Sequence, residues 1–351
     1  MMPFATEFPV KAGLDSRMFV AQIITWLKGT QYSRLFENNV EIDLDGDSPL
    51  AISANGEELR LRVLKVSGAE KAVGFRHDFP DQEGRLWRTE SVLLRNDKEG
   101  DQSIVRFRTQ CIARESGAKL HHPRKPYIIK SFLVDRLSGT DGQFLVSDEP
   151  VWLKNNDDSL QLAESISLGK ASNNLPIIYI STIKGSSWPF NRKQVDKLAY
   201  ELGGVAHVVV EPDRDFSITL RDLTSGQNVY GGAIGIALPN YGFVRRLFAS
   251  KQSPGSRNLV DIVHDTAHAL RSQMPSCGWD WTELQEQSLR QHRQRERNRL
   301  TSQEERALYE EENENLRETI VQLKDDLARQ QSINSNNAHE NYLHSYIASQ
   351  V

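Results

Sequence analysis

The segment Glu211-Pro-Asp-Arg-Asp215 sets three carboxylates, Glu211, Asp213 and Asp215, directly after the apolar run Val205-Ala-His-Val-Val-Val210. Carboxylates so placed act as general acids and bases or as ligands of a hard cation. A second apolar run, Pro176-Ile-Ile-Tyr-Ile180, leads into Ser181–Pro189, where Lys184, Ser186 and Ser187 can contact an anion and Trp188 can stack on a ring. Open α/β sheets hold ligands beyond the carboxyl ends of their strands, so the two loops would converge on one site. The chemistry implied is phosphate-directed, that of a nuclease or a nucleotide hydrolase. Polar strand-end loops occur in every fold of this kind, so position alone does not make a catalytic pair. His207, inside an apolar run, reads as a satisfied core histidine.

Three further patterns bear on chemistry. Ser225–Gly235 is rich in glycine, and the N–H groups around Gly231 and Gly232 would suit a phosphate. In a dinucleotide fingerprint the glycines follow a strand and open a helix; here they precede the strand-like run Ala233–Leu238, which favours a tight turn or bulge. His264-Asp-Thr-Ala-His268 has the i, i+4 spacing by which metalloproteases hold zinc, but Asp265 stands where the glutamate base belongs. Only Asp261 offers itself as a third ligand, and surface histidines are the favoured reading. Arg290, Arg293, Arg295, Arg297 and Arg299 form a basic run just before a heptad-like helix, an outline shared with zipper proteins that bind DNA. The apolar part is short for that comparison, so a solvated or partner-docking face is preferred to nucleic acid. No cofactor is specified by any of these patterns.

The elements that position these residues are legible from periodicity. Phe19, Val20, Ile23, Ile24 and Leu27 mark a helix capped by Asp15 or Ser16 and stopped by Gly29. From about residue 40 to residue 114 the period falls to two: Leu59–Val66, Leu86–Arg95 and Ser103–Ala113 alternate, with Asn55-Gly56 as a turn and Leu50–Ile52 as a partner strand. Arg106 and Arg108 should share a face opposite Val105 and Phe107. Beyond the proline-rich, basic stretch 116–126, apolar runs alternate with helices near Tyr127–Leu137, Ser159–Leu168, Arg192–Leu202 and Ser217–Leu223. Leu259–Gln273 is helical.

Tyr309, Asn313, Leu316, Ile320, Leu323 and Leu327 then fall at coiled-coil a/d spacing, with charges on the flanks. The expected fold is mixed α+β and α/β. It comprises a helix plus antiparallel β-rich unit over 1–115, a linker over 116–126, and an α/β domain with a mostly parallel sheet over 127–248. A helical arm with a short coiled coil follows over 259–330, and then a flexible tail over 331–351.

Composition bounds the function. The 351 residues carry 43 basic and 47 acidic side chains, a net charge of −4 that excludes nucleic-acid binding through bulk charge. Two distant cysteines, Cys111 and Cys277, build neither a disulfide framework nor a cysteine zinc site, which suits the reducing cytoplasm. No run of about 18 apolar residues occurs, so no membrane span is expected.

The segments Leu175–Ser181, Lys197–Val210 and Val229-Tyr-Gly-Gly-Ala-Ile234 resemble a group of uncharacterised bacterial proteins that look associated with anti-phage defence genes. The resemblance covers about the middle third of the chain and carries no established activity or site residue. Where a basic residue is expected after the Tyr-Gly-Gly-Ala-Ile run, this chain has Gly235. The combined expectation is a cytoplasmic bacterial interaction or sensor component of a larger assembly, with antiviral defence as its context. It would form a homo-oligomer or dock on a partner protein through the C-terminal helix. The phosphate-directed enzyme and the nucleic-acid sensor are the alternatives.

Overall fold

Asp15 accepts a hydrogen bond from the Met18 N–H at 2.8 Å and opens α1 (Ser16–Lys28), which buries Phe19, Val20, Ile23 and Leu27 before Gly29 ends it. The computed structural model describes residues 3–30, 51–54, 57–67, 71–95, 103–183, 187–248, 258–299 and 302–348. Around α1 stands a six-stranded sheet of β1 (Phe4–Pro9), β2 (Ala51–Ala54), β3 (Glu57–Val66), β4 (Lys71–Pro80), β5 (Arg85–Arg95) and β6 (Ile104–Ala113). Its order is β1-β6-β5-β4-β3-β2, and every pairing is antiparallel. Alternation sets the faces: Val105 and Phe107 of β6 are fully buried while Arg106 and Arg108 point the other way. Phe19 and Trp26 of α1 meet Phe75 of β4 at ring-centroid distances of 6.3 and 5.8 Å. The Asn55-Gly56 turn lies outside the described residues.

The chain continues through α2 (Tyr127–Val134), a small hairpin of β7 (Thr140–Asp141) and β8 (Phe144–Leu145), β9 (Val151–Trp152) and α3 (Asp157–Ser167). Next come β10 (Ile177–Ile180), α4 (Arg192–Leu202), β11 (His207–Val210), α5 (Arg214–Leu223), β12 (Ala233–Leu238) and β13 (Gly242–Phe248). The second sheet runs β13-β12-β10-β11-β9 and is mixed, which corrects the expectation of a mostly parallel sheet. β9, β10 and β11 are parallel, whereas β12 is antiparallel to both β10 and β13. For β13 the reason is chain length: only Pro239-Asn240-Tyr241 joins it to β12, too short for a crossover, so that pair closes as a hairpin.

Period-two burial lets this sheet serve two cores. Ile178, Ile180, Val208, Val210, Ile234 and Ile236 pack into a large cluster that also takes in Phe8, Phe107, Phe132, Leu198 and Val263. Ile177, Tyr179, Val209, Ala233 and Ala237 face the other side, with Phe216 and Leu220 of α5. The first cluster joins residues of both sheets, so the stretch 116–126 is a connection within one core rather than a break between two.

α6 (Leu259–Gln273) contributes Val260, Val263 and Ala267 to that shared core. Its buried Arg271 donates to the Glu7 carbonyl at 3.0 Å, and the Glu7 carboxylate accepts from the Cys277 and Gly278 N–H groups at 2.7 and 3.3 Å. α7 (Trp281–Arg299) starts by burying Trp281 and Leu284 against Val66, Ala72 and Val92. Gly74 makes room for this, because a Cβ there would lie 2.5 Å from Leu284 Cδ2. The chain divides into two compact units, Met1–Ser288 and Leu289–Val351. The second consists of the rest of α7 and of α8 (Ser302–Ala348), a 47-residue helix that continues through most of the stretch read from sequence as a tail. No helix among the described residues is long and apolar enough to cross a membrane.

Candidate functional site

The strand ends do converge. β10 finishes at Ile180, and Ser181 donates from its N–H and its hydroxyl to the Ala233 carbonyl at 3.1 and 2.8 Å, tying the loop to β12. The Gly232 N–H returns a bond to the Thr182 carbonyl at 2.8 Å. From β11, the Glu211 carboxylate accepts the Thr182 N–H at 3.0 Å, while its carbonyl accepts Trp188 Nε1 at 2.8 Å. Trp188 packs edge-on against Trp152 at the end of β9, and the guanidinium of Arg192 lies 5.1 Å over the Trp152 ring. Loops following three parallel strands thus meet the turn that enters β12.

The predicted residues that are described take definite places there. Glu211 is fully buried, and burial pushes its carboxyl up to about 7 against the pull of the Thr182 N–H and of the Tyr179 and Ser217 hydroxyls, with the Asp213 charge adding to the rise. Its Oε1 has no hydrogen-bond partner among the described residues. Asp213 caps α5, accepting the Phe216 N–H at 3.0 Å and a bond from the Asn155 amide. Those bonds hold its carboxyl below the usual range. Asp215 is exposed in the first turn of α5. Ser187 is exposed and its carbonyl accepts the Ile183 N–H at 2.7 Å; Lys184 and Ser186 lie outside the described residues. Gly231 and Gly232 adopt left-handed φ of 65° and 76°, and a Cβ on Gly232 would sit 2.5 Å from Ile183 Cγ1. They form a tight turn that requires glycine at its second position.

His207 is a satisfied core residue: its Nε2 lies 2.9 Å from Asp141 Oδ2, and Phe144 stacks on its ring at 4.7 Å.

The pair on α6 occupies a different place. The His264 and His268 rings stand 4.3 Å apart and line a cleft of about 1420 Å³ together with His121, His122, Lys125 and Asp261. His268 Nε2 is buried with no hydrogen-bond partner among the described residues, and burial, then the nearby His264 and Lys125, lowers its pKa to about 3. Among the described residues no group of three or more His, Cys, Asp or Glu is arranged to hold a metal ion, so the i, i+4 pair lacks a complete ligand set. Sequence reading did not connect residues 121–125 with this pair. The basic string in the linker was the available signal, but only the packing of α4 and α6 brings it to the histidines. Lys125 caps α4 there, donating to the Tyr200 and Gly203 carbonyls at 2.8 and 3.3 Å.

In the second unit, Arg290, Arg293, Arg295 and Arg297 are exposed along α7. Two of them are turned to α8: Arg293 lies 4.0 Å from the Glu312 carboxylate, and the Arg297 guanidinium lies 4.7 Å over the Tyr309 ring. The backbone of Arg299 ends α7. Along α8 the seam stands open, with Leu316 at 54%, Ile320 at 49%, Leu323 at 63% and Leu327 at 55% exposure, and Asn313 exposed beside them. Comparison of the chain with protein-family models, curated proteins and solved structures finds no match.

Proposed function

We propose that this protein is an interaction component that self-associates through α8 and works in the cytoplasm as part of a larger assembly. One observation carries the reading: four large apolar side chains, Leu316, Ile320, Leu323 and Leu327, repeat at a/d spacing on a helix and are about half exposed or more. Side chains of this size each contribute roughly 1.5–3 kcal/mol when fully buried. A helix this polar gains its stability from packing such a face rather than from propensity alone. The free state of Cys111 and Cys277 agrees with a reducing compartment. The resemblance of the middle segments supports an anti-phage setting as the context.

Sedimentation velocity tests the proposal directly. The intact chain is expected to run above monomer mass at micromolar concentration, and a Leu316→Asp/Leu323→Asp double variant as a folded monomer. An intact chain that stays monomeric at high micromolar concentration would remove the reading.

A second reading rests on Glu211. Its raised pKa and unbonded oxygen at the end of a parallel strand are features of functional carboxyls. As a phosphate-directed enzyme, the protein would work through Asp215 and Ser187, the exposed groups at that end, with Glu211 behind them. Loss of biological activity in Asp215→Ala, with oligomeric state unchanged, would favour this reading over the first. The basic run on α7 favours nucleic acid less, because two of its arginines are already engaged by α8.

A further inference from the structure

We infer that α8 pairs with α8 of a second copy in parallel and in register, as a two-stranded coiled coil; this rests on the self-association proposed above and adds its geometry. The seam assigns Asn313, Ile320 and Leu327 to a positions and Tyr309, Leu316 and Leu323 to d positions. A β-branched residue at a with leucine at d favours two strands, and a single asparagine at a fixes register in parallel pairs. Here Ile320 lies between Leu316 and Leu323, and Asn313 is the polar a residue one heptad before it. α8 is continuous through all of these positions, so nothing in the backbone interrupts the repeat.

The flanking charges decide orientation. Glu305, Glu312, Thr319 and Asp326 occupy g positions; Glu310, Arg317 and Lys324 occupy e positions. In a parallel pair each g residue faces the e residue five positions later on the other helix, so Glu312 meets Arg317 of the second copy, and the contact occurs twice by symmetry. In an antiparallel pair with the same apolar layers matched, e faces e, and Arg317 meets Lys324 of the second copy, again twice. From Asn313 onward the parallel arrangement has two attractive contacts, whereas the antiparallel one has only repulsive ones, Arg317 against Lys324 and Glu312 against Asp326; the like-charged Glu305–Glu310 contact of the parallel pair falls ahead of Asn313.

Among the described residues Glu312 forms an ion pair with Arg293 alone, at 4.0 Å through Oε1, and a carboxylate has acceptor sites for a second cation. Among the described residues Arg317 and Lys324 make no ion pair. Arg317 is therefore available to the second copy. At the start of the seam Tyr309 is covered by Arg297, so the pairing begins in earnest at Asn313.

Two experiments on the full-length chain, carrying Cys111→Ser and Cys277→Ser, test orientation apart from association. With Asn313→Cys, parallel pairing brings each cysteine opposite its own copy, and mild oxidation should give a covalent dimer. Mixed single variants Asn313→Cys and Gln330→Cys should give no disulfide between the two different variants, since positions 313 and 330 meet only in the antiparallel register. The second experiment is Arg317→Glu, expected to weaken dimerisation about three- to tenfold, with Glu312→Arg/Arg317→Glu restoring it.

A dimer that cross-links only in the mixed sample, or that tightens with Arg317→Glu, overturns the parallel geometry and leaves self-association standing. A dimer that cross-links in neither sample overturns it too, by placing the contact elsewhere. A chain that stays monomeric overturns both. Far-UV circular dichroism of each variant checks that α8 and the globular unit remain folded.

Discussion

Asp141 accepts His207 Nε2 at 2.9 Å inside the protein, and the same carboxylate also takes the Asn174 and Leu175 N–H groups at 2.7 and 2.9 Å and the Asn174 amide at 3.0 Å. One side chain at the start of a two-stranded hairpin thus fixes the first residue of β11 and the approach to β10. Burial alone would raise the Asp141 pKa, but the His207 contact and the backbone donors outweigh it and leave the carboxyl below its usual value. A carboxyl depressed in the folded state adds stability above its unfolded pKa, and that stability is lost as pH falls through the lower, folded value.

Asp141→Ala should therefore destabilise the first unit by about 3–5 kcal/mol at neutral pH, because four donors lose their acceptor. Urea unfolding followed by tryptophan fluorescence reads this. A loss below about 1 kcal/mol would mean that the cluster does not hold the two strands together.

Glu211 works in the opposite sense. Its folded pKa of about 7 lies above the ordinary carboxyl value, so the folded state holds a proton that the unfolded chain has released. Stability from this group is complete at low pH, declines as pH rises from the unfolded value, and levels off above about pH 7. Glu211→Gln should remove the decline and raise stability at pH 8 by roughly 1–3 kcal/mol relative to the parent chain. Denaturation curves at pH 5 and pH 8 make the comparison; equal shifts at both would show that the proton is not involved.

His268 carries an acid liability. With its pKa lowered to about 3, it stays neutral when folded while the unfolded chain protonates near 6.5. Stability is lost as pH falls between these values. His268→Leu should flatten the acid side of the stability profile between about pH 6 and pH 4, and should gain about 1 kcal/mol at pH 7 by removing an unbonded ring nitrogen. An unchanged profile would assign the acid loss to another group, with His77, also lowered by burial to about 4, the first to examine.

Shortening the chain after residue 299 should leave the globular unit folded. Trp281 and Leu284, which close the third apolar cluster, are retained, so the melting temperature should shift by no more than a few degrees while any association is lost. A collapse of the thermal transition would show that α8 supports the core.

Much of this architecture was legible because local chemistry and final structure agree. Asp15 and Gly29 bracket α1; α4, α6 and β12 begin and end where periodicity sets them. β1 and β4 escaped because their sequences, Phe-Ala-Thr-Glu-Phe-Pro and Lys-Ala-Val-Gly-Phe-Arg-His-Asp-Phe-Pro, alternate poorly, and because their partners β6 and β5 supply the order. The direction of β13 is set by the three residues before it, which a reading by strand and helix alternation does not weigh. The loops after β10 and β11 meet through Thr182 and Glu211, but the full burial of Glu211 and the capping role of Asp213 depend on packing from α5 that no spacing encodes.

The clasp formed by Glu7, Arg271, Cys277 and Gly278 has a mechanical consequence. It fastens the backbone just before α7 to β1, the outermost strand of the six-stranded sheet. Tension applied along α7 would be borne first by Trp281 and Leu284 where they pack on β3, β4 and β5, and would reach the clasp on β1 only once that cluster had opened. Under load the amino-terminal edge strand would therefore be a second hold, loaded after the first has given way.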